Sequence, residues 1–165
     1  MNAEMTPIDW AKRPLQKYAD FTGRAPRAEY WWFVLATAII FVVLSIVESL
    51  LGLNRMFLGV YGPLTMLLWV AVLVPSLSVG VRRLHDTNRS GWWLLLLVPY
   101  LVGAILMRAV MAAGGAGVGT AGIFMLIGAV CAIVLLVFYC LPGTAGDNSY
   151  GADPYGAVGP AVAAD

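Results

Sequence analysis

Four long apolar runs, at about 31–51, 61–81, 92–111 and 120–141, alternate with short polar stretches along this chain. A helix needs about 20 mostly apolar residues to cross the hydrocarbon of a bilayer, and each run is about that long. The third and fourth are parted only by Gly114-Gly115-Ala116-Gly117-Val118-Gly119. That stretch has poor helix propensity and suits a tight turn, so two spans are expected rather than one very long helix. The pattern predicts an all-α integral membrane protein, a four-helix transmembrane bundle over residues 31–141. It leaves an N-terminal segment, 1–30, and a Gly/Asp-rich tail, 142–165.

The flanking segments read differently. From Pro7 to Phe21 apolar and basic residues mix, with Ala11, Leu15, Tyr18 and Thr22 near one helical face. This predicts a short interfacial helix that Pro14 delays or bends. The tail is too poor in large apolar groups for a core and is expected to be loop-like with a disordered end. Within it, Asp147-Asn148-Ser149-Tyr150-Gly151 lacks the Gly position and closing Glu of a calcium loop and reads as successive Asx turns.

Composition supports the membrane reading. Of 165 residues, 61% are hydrophobic and 12% charged, whereas a soluble domain carries about 25% charged residues. The net charge of +1 gives no general attraction for nucleic acid. Basic residues set the orientation. Lys12, Arg13, Lys17, Arg24 and Arg27 precede the first span, and Arg82, Arg83 and Arg89 lie between the second and third; only Arg55 and Arg108 fall towards the other side. Both termini are therefore expected in the cytoplasm. Trp31-Trp32 and Trp92-Trp93 open two spans at that same boundary, where an indole can bury its ring and wet its N–H. The charged first 30 residues hold no apolar core of the signal-peptide kind, so the first span is expected to be a retained anchor. Cys131 and Cys140, nine apart, fall on opposite faces of one helix, cannot readily pair, and read as small buried residues.

The densest chemistry lies in Arg82-Arg83-Leu84-His85-Asp86-Thr87-Asn88-Arg89-Ser90-Gly91-Trp92-Trp93, which holds the one histidine. If the second span runs on to Asp86, Arg82 and Asp86 share a helical face and can pair. Asn88 suits a left-handed cap on that helix and Ser90 a cap on the next. A His-Asp pair also suggests a general base, but adjacent side chains diverge on a helix and no nucleophile is presented. No catalytic residue is assigned.

Two further patches complete a family likeness. Phe21-Thr22-Gly23-Arg24-Ala25-Pro26-Arg27-Ala28-Glu29-Tyr30-Trp31-Trp32-Phe33 leads into the first span, and Gly143-Thr144-Ala145-Gly146-Asp147-Asn148-Ser149-Tyr150-Gly151-Ala152-Asp153-Pro154 follows the last. In order and spacing these resemble the small bacterial inner-membrane proteins of domain-of-unknown-function family 805, over about residues 15–155. Pro26 departs from the pattern, replacing a small polar residue between two arginines. The resemblance implies the four-span fold and a bacterial inner-membrane location, and it carries no activity.

The predicted topology brings all three patches to the cytoplasmic face. Arg24, Arg27, Arg82, Arg83, His85, Asp86, Asp147 and Asn148 form the candidate site for a lipid headgroup, an anion or a partner protein. The competing reading is structural, with the same residues tying helix ends together. Glu48 and Arg108, near the outer ends of spans one and three, are expected to approach each other. Pro75 and Pro99, each seven residues from the polar hairpin, are expected to kink their helices at matched depth. No metal site and no cofactor are expected. The leading function is a non-enzymatic membrane protein with membrane lipids as partners, and with a homo-oligomer or membrane-protein partner as a further association. The alternatives are a small transporter or channel subunit and a membrane enzyme acting on an anionic lipid.

Overall fold

The computed structural model describes residues 5–53, 61–115 and 117–154. Among the described residues there are five α-helices and one 3-10 segment: α1 (Pro7–Gln16), α2 (Arg27–Leu50), α3 (Pro63–Asp86), a 3-10 segment (Gly91–Leu97), α4 (Val98–Ala112) and α5 (Val118–Cys140). By length and composition α2, α3, the 3-10 segment with α4, and α5 are each long and apolar enough to cross a membrane. Among the described residues there is no strand; Asn148 and Gly151 make an isolated bridge.

The helices form two hairpins, α2–α3 and α4–α5. In the second, the small residues Gly103 and Gly128 let the backbones approach closely. A Cβ at Gly103 would strike the Phe124–Met125 backbone, and one at Gly128 the Tyr100 backbone. Gly114, Gly115 and Gly117, all at positive φ, make the expected turn between them. The hairpins meet where Leu84, Leu135 and Tyr139 pack with Tyr30, Trp31, Leu94 and Phe138. Large apolar side chains elsewhere on the spans stay exposed, as lipid-facing surfaces do. The start of α2, the end of α3, the start of the 3-10 segment and the end of α5 gather at one end of the molecule, here the charged end.

Helix α1 begins before Pro14 rather than after it. Thr6 caps it reciprocally with Asp9: the Asp9 N–H donates to the Thr6 hydroxyl, and the Asp9 carboxylate accepts from the Thr6 N–H at 3.0 Å. Pro14 is buried within the helix, two residues before its end. The chain leaving α1 runs beside α3. There Pro75, with no N–H, leaves the Ala71 carbonyl without its helical donor, and the Tyr18 hydroxyl donates to that carbonyl at 2.8 Å. One turn on, the Ser78 hydroxyl reaches the Asp20 carbonyl at 2.6 Å.

Three expectations are corrected. The third span is not one helix: Pro99 cannot bond to the Leu95 carbonyl, the Val98 N–H takes it instead, and the run Gly91–Leu97 is wound as 3-10. Pro99 therefore lies in the first turn of α4, where its missing N–H costs nothing, instead of kinking a continuous helix. Glu48 does not approach Arg108, and no ion pair joins them. Buried at the end of α2, it caps α3, accepting from the Leu64 N–H, the Thr65 N–H at 3.0 Å and the Thr65 hydroxyl at 2.8 Å. Gly62 at the N-cap supplies no side chain for this, and a Cβ there would collide with the Glu48 carboxylate. Arg108 is exposed on α4. Cys131 and Cys140 are free, the first half-buried and the second exposed, not buried as expected.

Candidate functional site at the charged end

The site begins at the end of α3. Thr87 caps the helix, and Asn88 turns left-handed with φ 56°. The Asn88 N–H donates to the His85 carbonyl and the Arg89 N–H to the Leu84 carbonyl, the two bonds of a Schellman closure. The Ser90 hydroxyl then accepts from the Trp92 N–H. Both caps match the sequence expectation. They hold Arg82, Arg83 and Asp86 facing inward, each fully buried.

Buried charge at this depth must be paired, and each carboxylate lies between two arginines. Asp86 Oδ1 accepts from Arg24 Nε at 3.0 Å, and its Oδ2 pairs with Arg83 Nη1. Glu29, in the first turn of α2 where the helix dipole favours an acid, accepts from Arg82 Nη1 at 2.5 Å. Its Oε2 lies 3.5 Å from Arg13 Nε of α1. The expected Arg82–Asp86 pair is therefore not formed: Asp86 takes Arg83, three residues earlier, and the N-terminal Arg24, while Arg82 turns to α2.

The arginines also close helix ends. Arg83 Nε and Nη2 donate to the Tyr139 carbonyl at 3.2 and 3.1 Å, and Nη2 also to the Leu141 carbonyl. Exposed Arg27 donates to that same Leu141 carbonyl at 2.9 Å. Arg24 Nη1 and Nη2 each donate at 2.6 Å, to the Gly146 and Thr144 carbonyls. The last carbonyls of α3 are covered from the tail. Thr144 donates to the Asp86 carbonyl from its N–H at 2.8 Å, and the Asn148 side-chain amide to the His85 carbonyl at 2.9 Å. The Tyr150 N–H closes the expected Asx turn on Asn148 at 2.9 Å. Asp147 stays outside this cluster, accepting from the Asp153 N–H at 3.0 Å within the loop. The tail is thus folded onto the bundle through Pro154; the expected disordered end falls outside the described residues.

His85 and Asp86 do not form a dyad. The Asp86 carboxylate is committed to two guanidiniums, whereas His85 Nδ1 faces the Gly23 carbonyl at 3.1 Å. That carbonyl only accepts, so Nδ1 carries the proton. The ring, half-buried, stacks on Tyr150 with centroids 3.9 Å apart and planes 7° from parallel. Arg89 lies over the Phe138 ring at 4.2 Å. Among the described residues no group of His, Cys, Asp and Glu is placed to hold a metal ion.

Residues 18–152 match the family model described as protein of unknown function DUF805. The chain belongs to this family. The DUF805 match takes in all three arginines of the buried cluster and both carboxylates, and leaves out α1 with Arg13. Among similar proteins, the inner membrane protein YhaI of Escherichia coli (strain K12) is 35% identical over 147 residues, which is 89% of this chain and 96% of that protein. The inner membrane protein YhaH of the same strain is 34% identical over 148 residues, covering 89% and 97%. No solved structure matches the chain. This DUF805 protein is therefore an all-helical membrane protein of unknown function, related to proteins of the bacterial inner membrane.

Sequence reasoning singled out Arg24, Arg82, Arg83, Asp86 and Asn148, which the fold does bring together. Glu29 and Thr144 lie in the quoted patches but were not assigned to the site; Glu29 carried the signal of an acid among arginines at the mouth of an apolar run. Arg13 was read only as an orientation charge, because its role depends on contacts across the chain.

Proposed function

We propose that this protein is a non-enzymatic inner-membrane protein that binds an anionic group at its charged end, with that end and both termini in the cytoplasm. The observation that carries this reading is the arginine surplus. Three guanidiniums, with side chains 1%, 0% and 0% exposed, share two fully buried carboxylates. Helix-end carbonyls take the remaining donors of Arg24 and Arg83 but carry no full charge; a surplus cation invites an anion from outside the chain. Phosphate-bearing headgroups are the ligands at hand for such a site at the inner leaflet. The excess of basic residues around the charged end supports the orientation, and relatives of the inner membrane support the location.

The test is mass spectrometry of the protein in native-lipid particles. A retained anionic lipid or anion is expected, and a protein that carries none overturns the reading. Cysteine-accessibility labelling at Ala145 checks the orientation, with reaction expected only after the cytoplasmic side is opened.

A further inference from the structure

Arg82 differs from the other buried arginines in a way that points to a ligand. All three guanidinium nitrogens of Arg24 donate to protein oxygens, as do all three of Arg83. Arg82 uses Nη1 alone, and its Nε and Nη2 are buried with no hydrogen-bond partner among the described residues. These two nitrogens form one edge of the guanidinium, whose parallel N–H bonds match two oxygens of a carboxylate or phosphate. The edge sits on a wholly buried side chain, where unmade hydrogen bonds are costly and call for a missing partner. Glu29 answers Arg82 only in part: its Oε2 is likewise buried without a hydrogen-bond partner among the described residues, with Arg13 Nε 3.5 Å away. The half-buried Asp20 lies within electrostatic reach of Arg82 but makes no hydrogen bond to it; its Oδ1 accepts from the Thr22 N–H at 3.0 Å and hydroxyl at 2.6 Å.

We propose that the Nε/Nη2 edge of Arg82 is a binding site for a phosphate group, held between α2 and α3 beside the Glu29 pair. This rests on the anion-binding reading above and assigns it a residue and a ligand chemistry. The edge favours an oxyanion over chloride, since two oxygens give each parallel N–H its own acceptor whereas chloride must share one. An open groove of about 270 Å³ between α2 and α3 is lined by Tyr30, next to Glu29, and Val79, one turn before Arg82. A lipid that lent its phosphate would have this largely apolar groove for a chain, whereas inorganic phosphate would not need it.

The full chain in detergent and in phosphatidylglycerol particles tests this with two probes, inorganic phosphate and the lipid itself. Phosphate is expected to raise the unfolding temperature over chloride at equal ionic strength, or phosphatidylglycerol to stay bound through delipidation. The first outcome assigns free phosphate, the second a headgroup. Arg82→Lys keeps the charge but has no edge, and is expected to weaken binding by about tenfold or more. Glu29→Gln, by removing a competing carboxylate, is expected to strengthen it, a gain that a purely structural Arg82 would not give. Equal retention by Arg82→Lys overturns the Arg82 site while leaving anion binding elsewhere intact. If Arg82→Lys does not fold, unchanged or weaker binding by Glu29→Gln overturns it. Absence of both phosphate effects in the unmodified protein overturns this inference and the anion-binding reading together.

Discussion

Asp86 ties the charged end together through both its side chain and its backbone. Its carboxylate pairs with Arg24 and Arg83, and its carbonyl accepts from Thr144 twice, once from the N–H and once from the hydroxyl at 3.1 Å. Asp86→Asn should leave two guanidiniums buried without compensation, a change of about 3–5 kcal/mol in similar buried pairs. A large fall in the unfolding midpoint in micelles is expected; a midpoint within error of the unmodified protein would contradict the pairing. The sequence revealed this residue's importance without its partners. Asn88 and Ser90 act within a few residues of themselves, so their caps were legible from local rules. Whether Arg82 pairs with Asp86 or Glu29 depends on where α2 packs, and no spacing along α3 contains that information.

At the level of elements, apolar run length located the spans, because the bilayer imposes it directly. It did not show that the third span opens as a 3-10 turn, which follows from the single carbonyl that Pro99 cannot engage. Nor did it show how the segment after α1 answers Pro75. Tyr18→Phe should cost about 1 kcal/mol, the net worth of an ordinary hydrogen bond. Pro75→Ala restores a helical donor for the Ala71 carbonyl, so in that background Tyr18→Phe should cost little. Equal penalties in the two backgrounds, measured by a double-mutant cycle, would refute the link. Helix α1 has its own pH dependence. The Thr6 hydroxyl and then its N–H hold the exposed Asp9 carboxyl below its ordinary value. The stabilisation is full above the unfolded value, near pH 4, and is lost as pH falls through the lower folded-state value, so the first turn of α1 should loosen progressively below about pH 4. Amide hydrogen exchange across residues 9–12 reads this directly, and protection unchanged down to pH 3 would disprove it.

Over the whole molecule, the charged end joins parts distant in the chain: Arg24 from before α2, Asp86 from α3, and Thr144 and Gly146 from after α5. The four-span topology read from the sequence foresaw that the three patches share one face. It could not foresee that they interlock, because that depends on contacts between residues 120 and 122 positions apart. The same reach orders events in time. A growing chain delivers its arginines first and the carbonyls that quench them last, so the cluster stays open through the synthesis of all four spans. A chain ending at Cys140 should insert yet remain unsealed, with Arg24 and Arg83 short of their final acceptors. Limited trypsin digestion is expected to cut such a product at Arg24 or Arg83 and to spare the full-length protein at both. Closure of the fold in this sense waits on the segment after α5, and the loop at 143–154 is its seal.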